Sequence, residues 1–438
     1  MADALSGSAK RGAAAVFVGL MAIGLALSIM VAWVAASYFR IDVAGSLVWP
    51  GSDGFCDVAT QGLGVHCFSD LSLHLGVGRS LVPDDAGLVQ YTSNLPPGGR
   101  VLLWVFQVLA SFTGFRATFA VYMILSAAAL LVPALWAVRG RSWQHASVIV
   151  VLTSVATVPF LAVLDRGNTI AFAIPLIFLF VIALSREYDM VAITSVVVAA
   201  QIKPQFGLLV IGFLVLRRWR AGLIAVAASV FVFLGSFLVF AIPGAGSSPL
   251  EEFKRFVLYS QFRGNYVPVE SSYPINISFQ RVVYEIGDRF FGVPLTSFAL
   301  QLVTLFIVGL VLAALVWRGR RLPYPVWISV ILMSSALVVS VTFIYYFSLV
   351  LVTASLLVRP EGPSVGQFRV RPLESLLVAA TFISLTPLLI PGGWADAPLP
   401  TVGDGVVVSL LPSFASGTWL VLVVTTGVAA VRARAVID

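Results

Sequence analysis

Apolar stretches long enough to cross a bilayer recur along nearly the whole of this 438-residue chain. A helix rises about 1.5 Å per residue, so roughly 20 apolar residues cover a hydrocarbon core of about 30 Å. With 59% of residues apolar and 11% charged, the chain falls well short of the roughly 25% charge usual in soluble domains. A polytopic membrane protein is expected, and an ordinary water-soluble enzyme is excluded. The net charge of +7 says nothing about nucleic acid until the charges are placed by side of the membrane. Two cysteines and three histidines are too few for a zinc cluster or a disulfide scaffold.

Twelve apolar segments qualify as candidate spans. They are Ala13–Tyr38, Ala117–Val138, Ala146–Val163, Thr169–Leu184, Met190–Ile202, Gln205–Leu216, Ala221–Ala241, Pro294–Val316, Tyr324–Thr342, Tyr345–Val358, Pro372–Ile390 and Phe414–Val431. The first is too long for a signal peptide and lacks a clear small-residue cleavage pattern, so it reads as a retained span. Threading the chain this way puts both termini on one side, with 16 of the 27 basic and six of the 20 acidic residues. That side then carries +10 and the other −3, as the positive-inside rule requires. The same rule makes Met190–Leu216 a hairpin of two short arms, because a single helix would move every later arginine cluster across the membrane.

Each arm has about 12 or 13 residues, roughly 20 Å of helix, so the tip Gln201-Ile202-Lys203-Pro204-Gln205 lies below the surface. Non-helical backbone at that depth must be buried in protein or line a cavity, and a lysine there calls for an anion. Two long polar segments, 40–115 and 243–293, fall on the side opposite the arginines. Within the first, Val101–Phe112 is too short to span and reads as an interfacial or re-entrant helix. Cys56 and Cys67 in the same segment are expected to form a disulfide if that compartment is oxidising, the alternative being two free thiols.

No zinc motif, phosphate-binding P-loop, dinucleotide fingerprint or GxSxG elbow is present. What remains is a set of polar insertions at one end of the spans: Asp70 and His74; Asp165-Arg166-Gly167-Asn168; Lys203; Arg263; Asn276-Ile277-Ser278; and Tyr345-Tyr346. Most have a bland reading. Asp165 and Arg166 can neutralise each other in a turn that Gly167 and Asn168 complete, with Asn168 as a helix cap. Asp70 can cap Leu71–Leu75, and the two tyrosines can belong to an interfacial aromatic belt. Asn276-Ile277-Ser278 also matches a glycosylation acceptor. Together they suggest more. A recessed lysine helped by arginines can hold a phosphate at the membrane surface, and a carboxylate above it can act as general base toward a hydroxyl. The implied substrate is a lipid phosphate.

In these strings the chain resembles the GT-C membrane glycosyltransferases that use polyprenyl-phosphate sugars. Among them it is most similar to the actinobacterial polyprenyl-phosphate-mannose-dependent α-1,2-mannosyltransferases. Asp70-Leu71-Ser72-Leu73-His74 stands for an Asp-Leu-x-x-Tyr-like string, and Asn94-Leu95-Pro96-Pro97 for a Tyr-Pro-Pro-like one. Asp165–Asn168 matches a Gly-Gln-x-Asn-like turn, Ala199-Ala200-Gln201-Ile202-Lys203-Pro204 an Ala-Ala-x-x-Lys-x-x-Pro-like tip, and Ile275–Ser278 a Phe-Asn-Gln-Ser-like string. Where the family carries a Ser-x-x-x-His-His-like element, this chain has Ser340 followed by Tyr345 and Tyr346.

The resemblance implies an all-α, GT-C type integral membrane domain over residues 1–438, with about 12 transmembrane helices and extracytoplasmic juxtamembrane helices. It implies a bacterial plasma-membrane enzyme with cytoplasmic termini and an extracytoplasmic active site. That enzyme would move a sugar, mannose by the resemblance, from a polyprenyl-phosphate donor to a glycolipid or glycan acceptor. Asp70 would be the catalytic base. Lys203, Arg166 and Arg263 would bind the donor phosphate, and His74, Asn168, Asn276, Tyr345 and Tyr346 the substrates. No metal, cofactor or nucleic acid is expected. The alternatives are a polyprenyl-linked glycan polymerase or ligase, and a lipid or solute transporter.

Overall fold

In a lipid environment an apolar segment must satisfy its own backbone, and the helix is the one open structure that does so. The computed structural model describes residues 2–48, 96–239, 248–258, 276–292, 297–339, 342–359, 371–395 and 406–433, and these are overwhelmingly helical. In order they form α1 (Ala2–Phe39), α2 (Val43–Val48), α3 (Pro97–Thr113), α4 (Phe115–Ala137), α5 (Trp143–Val150), α6 (Val158–Arg166), α7 (Ile170–Ser185), α8 (Asp189–Ile202) and α9 (Ile211–Val215). Then follow α10 (Trp219–Val239), α11 (Pro249–Leu258), α12 (Phe279–Phe291), α13 (Ser297–Arg318), α14 (Tyr324–Leu337), α15 (Leu349–Val358), α16 (Arg371–Leu385) and α17 (Leu411–Arg432). Short 3-10 segments, Pro204–Val210 and Ile344–Ser348, lead into α9 and α15.

The protein is an all-α polytopic membrane protein. Each of the twelve predicted apolar segments reappears as helix, but their lengths differ. Five helices are long and apolar enough to cross a bilayer, or six if one bent pair is counted as a single span. Six further apolar helices have only 10–17 residues. The bent pair falls on the expected span Ala146–Val163. After a π turn at Val151–Val155 the chain bends by 59° into α6. Pro159 explains the break, because it has no N–H to donate and its ring clashes with the carbonyl four residues earlier.

Long and short helices occupy different layers. The apolar windows of α1 and α10 are only 28% buried, and Ile23, Trp33, Leu223, Phe231 and Leu238 face outward. Such apolar faces suit lipid contact. By contrast, every residue of α14 except Pro325 is buried. Its serines are absorbed internally: Ser335 donates to the Leu332 carbonyl, and Ser329 accepts from Thr353 at 3.0 Å. A helix enclosed by other helices need not match the bilayer thickness itself, so α14 can stop after 14 residues.

Six of the arginines predicted for one membrane side bind at helix ends in the described residues. Arg218 binds Asp189 and Glu187, each at 2.8 Å, which closes the base of the α8–α9 hairpin. Arg217 donates to the Trp317 carbonyl, Arg318 to that of Val431, and Arg321 to that of Ala433. Arg359 donates to the Trp136 carbonyl, and Arg141 to that of Val358. These are the last carbonyls of helices, which lack partners inside the helix and attract cations.

One element lay outside the sequence reading. Strands β1 (Pro391–Ala395) and β2 (Val406–Ser409) pair antiparallel between α16 and α17. The Val407 N–H donates to Ser46 Oγ, which ties the hairpin to α2.

Candidate functional site

The hairpin tip forms because Lys203 precedes a proline. That neighbour disfavours the helical region, and Lys203 adopts an extended conformation (φ −144°, ψ 113°) between α8 and Pro204. The backbone reverses there, and the returning arm brings Arg218 back to Asp189 at the other end. Lys203 is only 4% exposed. Its ammonium lies 5.8 Å from the centre of the Tyr346 ring. Among the described residues no carboxylate or hydrogen-bond acceptor takes up its three N–H donors.

Helix α3 begins against this tip. A Cβ on Gly99 would lie 2.5 Å from the Gln201 carbonyl oxygen, and one on Gly98 would lie 2.8 Å from Gln201 Oε1. The first obstacle is backbone and the second is the end of a flexible side chain. Gly99→Ala is therefore expected to destabilise the protein by about 1–3 kcal/mol through overpacking, and Gly98→Ala by clearly less. Thermal unfolding of the two purified variants in detergent checks the difference.

Arg166 enters from α6. Gly167, in the left-handed region (φ 61°, ψ 36°), ends that helix. The Gly167 N–H donates to the Leu164 carbonyl and the Asn168 N–H to the Val163 carbonyl, the double closure that favours glycine. Asn168 Oδ1 then accepts the Ile170 N–H at 2.9 Å, so the local reading of a turn followed by a cap describes this geometry. Tyr122 pins the turn by donating its hydroxyl to the Gly167 carbonyl at 2.8 Å. Arg166 is buried, and its guanidinium sits 5.6 Å from the centre of the Phe343 ring.

The strip Thr342–Tyr346 joins these parts. The Phe343 and Tyr345 rings stack at 5.6 Å, and Tyr345 and Tyr346 lie 4.9 Å apart. Arg166 therefore stands at one end of the aromatic run and Lys203 at the other. Asn276 fixes the strip, its Oδ1 accepting the N–H groups of Ser278 and Thr342 at 3.1 Å each. The Ile277 N–H adds a bond to the Thr342 carbonyl at 2.7 Å. At 7% exposure Asn276 is enclosed in the folded protein, which leaves a glycan no access. Tyr345 and Tyr346, 3% and 6% exposed, sit inside the bundle and not in a lipid-facing belt.

Of the residues singled out from sequence, Lys203, Arg166, Asn276, Tyr345 and Tyr346 converge here, with Asn168 two residues beyond Arg166. Asp70, His74, Arg263, Cys56 and Cys67 lie outside the described residues. Sequence reasoning passed over Phe343, and it named Gln205 as part of the hairpin tip without giving it a role. Among the described residues no cluster of three or more His, Cys, Asp or Glu could hold a metal ion.

A bundle of long, outward-facing apolar helices around short apolar ones, with an enclosed lysine at a hairpin tip, is a polytopic membrane protein that keeps a cation in its interior. The sequence model of glycosyltransferase family 87 matches residues 95–343, from the start of α3 to Phe343. The chain belongs to this family and is a membrane glycosyltransferase. No curated protein and no solved structure matches it.

Proposed function

We propose that the protein transfers a sugar, mannose by its resemblance, from a polyprenyl monophosphate to a hydroxyl of a cell-envelope glycolipid or glycan. The reaction takes place on the extracytoplasmic side and inverts the anomeric carbon. The acceptor oxygen attacks that carbon while Asp70 removes its proton. The bond from the carbon to the phosphate oxygen breaks, and its electron pair leaves with the lipid phosphate. Lys203, assisted by Arg166 or Arg263, stabilises the negative charge that grows on this leaving group. The aromatic strip and Asn276 hold the phosphate end of the site in shape.

The observation that carries this reading is the enclosed side chain of Lys203, whose ammonium has no acceptor among the described residues. A cation in an apolar interior is costly unless an anion meets it, and the described residues provide none. Membership of a glycosyltransferase family favours an enzyme over a transporter. Lipid-exposed apolar helices beside the cation suit a donor whose tail stays in the bilayer.

The test is transfer by purified protein in lipid nanodiscs, with three donors offered separately: polyprenyl-phosphate mannose, a nucleotide mannose and a polyprenyl-diphosphate glycan. Product from the monophosphate alone, with inverted anomeric configuration, is expected. Product from the diphosphate alone would establish the polymerase or ligase reading instead.

A further inference from the structure

Gln205 and Tyr346 are 141 residues apart in sequence, yet Gln205 Nε2 donates to the Tyr346 hydroxyl at 2.8 Å. The bond fixes the ring over which Lys203 Nζ sits, 5.8 Å from its centre. Gln205 follows Pro204 in the 3-10 turn of the hairpin tip, and Tyr346 belongs to the turn Ile344–Ser348, so both ends rest on short, well-packed backbone. Tyr346 is also stacked on Tyr345.

We infer that Gln205 and Tyr346 are positioning residues that hold Lys203 ready for the phosphate without neutralising it. A carboxylate could also fix a buried ammonium, but it would cancel the charge and compete with an anionic substrate. The face of an aromatic ring attracts the cation through its quadrupole and leaves all three N–H donors unspent. The hydrogen bond from Gln205 sets where that face points. A ring that turned would release the lysine stem, and the stem's rotamer freedom would then have to be given up again on each binding event. The inference rests on the reading of Lys203 as a phosphate binder and adds to it how the ammonium is held.

The experiment measures binding of a sugar-free polyprenyl monophosphate to the full chain in nanodiscs, together with donor KM, acceptor KM and thermal unfolding. Tyr346→Leu, which removes the ring, is expected to weaken phosphate binding about tenfold, with acceptor KM unchanged. Tyr346→Phe and Gln205→Leu, which each break the anchor, are expected to weaken it about threefold, and their combination no further. In a Lys203→Met background Tyr346→Leu is expected to have no added effect, because its influence runs through the ammonium. A merely structural tyrosine would cost as much in that background as in the wild type, and that result overturns the inference. So does unchanged binding by Tyr346→Leu when Lys203→Met binds weakly. A wild-type protein that does not bind the lipid phosphate overturns the donor reading and this inference with it.

Discussion

Lys203→Met is expected to lower transfer by about 100-fold or more while leaving the unliganded protein as stable as the wild type or more so. The two effects share one cause. Lys203 as a residue is 4% exposed, and holding its charge among apolar neighbours with no anion from the described residues costs solvation energy in the empty protein. Methionine fills nearly the same volume without that cost, and replacing a buried charge with a packed apolar group is often neutral or stabilising. In the reaction the balance reverses. Removing one well-placed donor to a developing oxyanion typically costs about 10²–10³ in kcat. Lys203→Arg keeps the charge on a different geometry and should recover part of the activity. Transfer rates measured beside thermal unfolding in nanodiscs check both signs. A large loss of stability in Lys203→Met would show that the lysine is a structural cation with an anionic partner from the protein itself, and the phosphate reading would fall.

How much of this was readable beforehand depended on whether the cause was local. The break at Lys203 is dictated by Pro204, and the shortness of the two hairpin arms by simple length. Arg218 meeting Asp189 is the closed base that a hairpin of two short arms requires. The Asn168 cap is equally local, since a side-chain oxygen two residues before an N–H can reach it anywhere. The bend after Val155 was signalled by Pro159, but an unbroken apolar run concealed it. Tyr346 was misleading for a different reason. A tyrosine pair at the end of a span has the composition of an interfacial belt, and only the packing of Ile344–Ser348 against α6 and of Tyr346 against the hairpin tip reveals that it is enclosed. The β1–β2 hairpin escaped because Pro391-Gly392-Gly393 reads as a loop and Val406-Val407-Val408 as one more apolar run. Its tie to Ser46 spans 361 residues, which no local pattern encodes.

The layering of the bundle follows from the same physics and bears on the reaction. Long helices with outward apolar faces form an outer layer, whereas α14 is short and enclosed and α8 is short but turns Met190, Val191 and Val198 outward. Lys203 sits at the tip of such a short hairpin, where the surrounding protein keeps its side chain largely from bulk water. Electrostatic attraction between Lys203 and a phosphate is stronger there than at an aqueous surface, because less solvent screens it.

Asp70→Asn is expected to abolish transfer, by about 100-fold or more, with donor binding unchanged. The two carboxylate oxygens of aspartate accept a proton from the attacking hydroxyl, and the asparagine amide cannot. General-base assistance of this kind is worth about 10²–10⁴. The chain leaving the segment that contains Asp70 returns at Pro96–Gly99, directly against Gln201 and hence beside Lys203. The two variants are separable experimentally. Lys203→Met should lose affinity for polyprenyl monophosphate, whereas Asp70→Asn should keep it and lose only the chemical step. If Asp70→Asn retained more than about a tenth of the wild-type rate, another group would hold the base role. The next carboxylates to replace would be Asp84 and Asp85, later in the same segment, and Asp165, which the bundle buries beside Arg166.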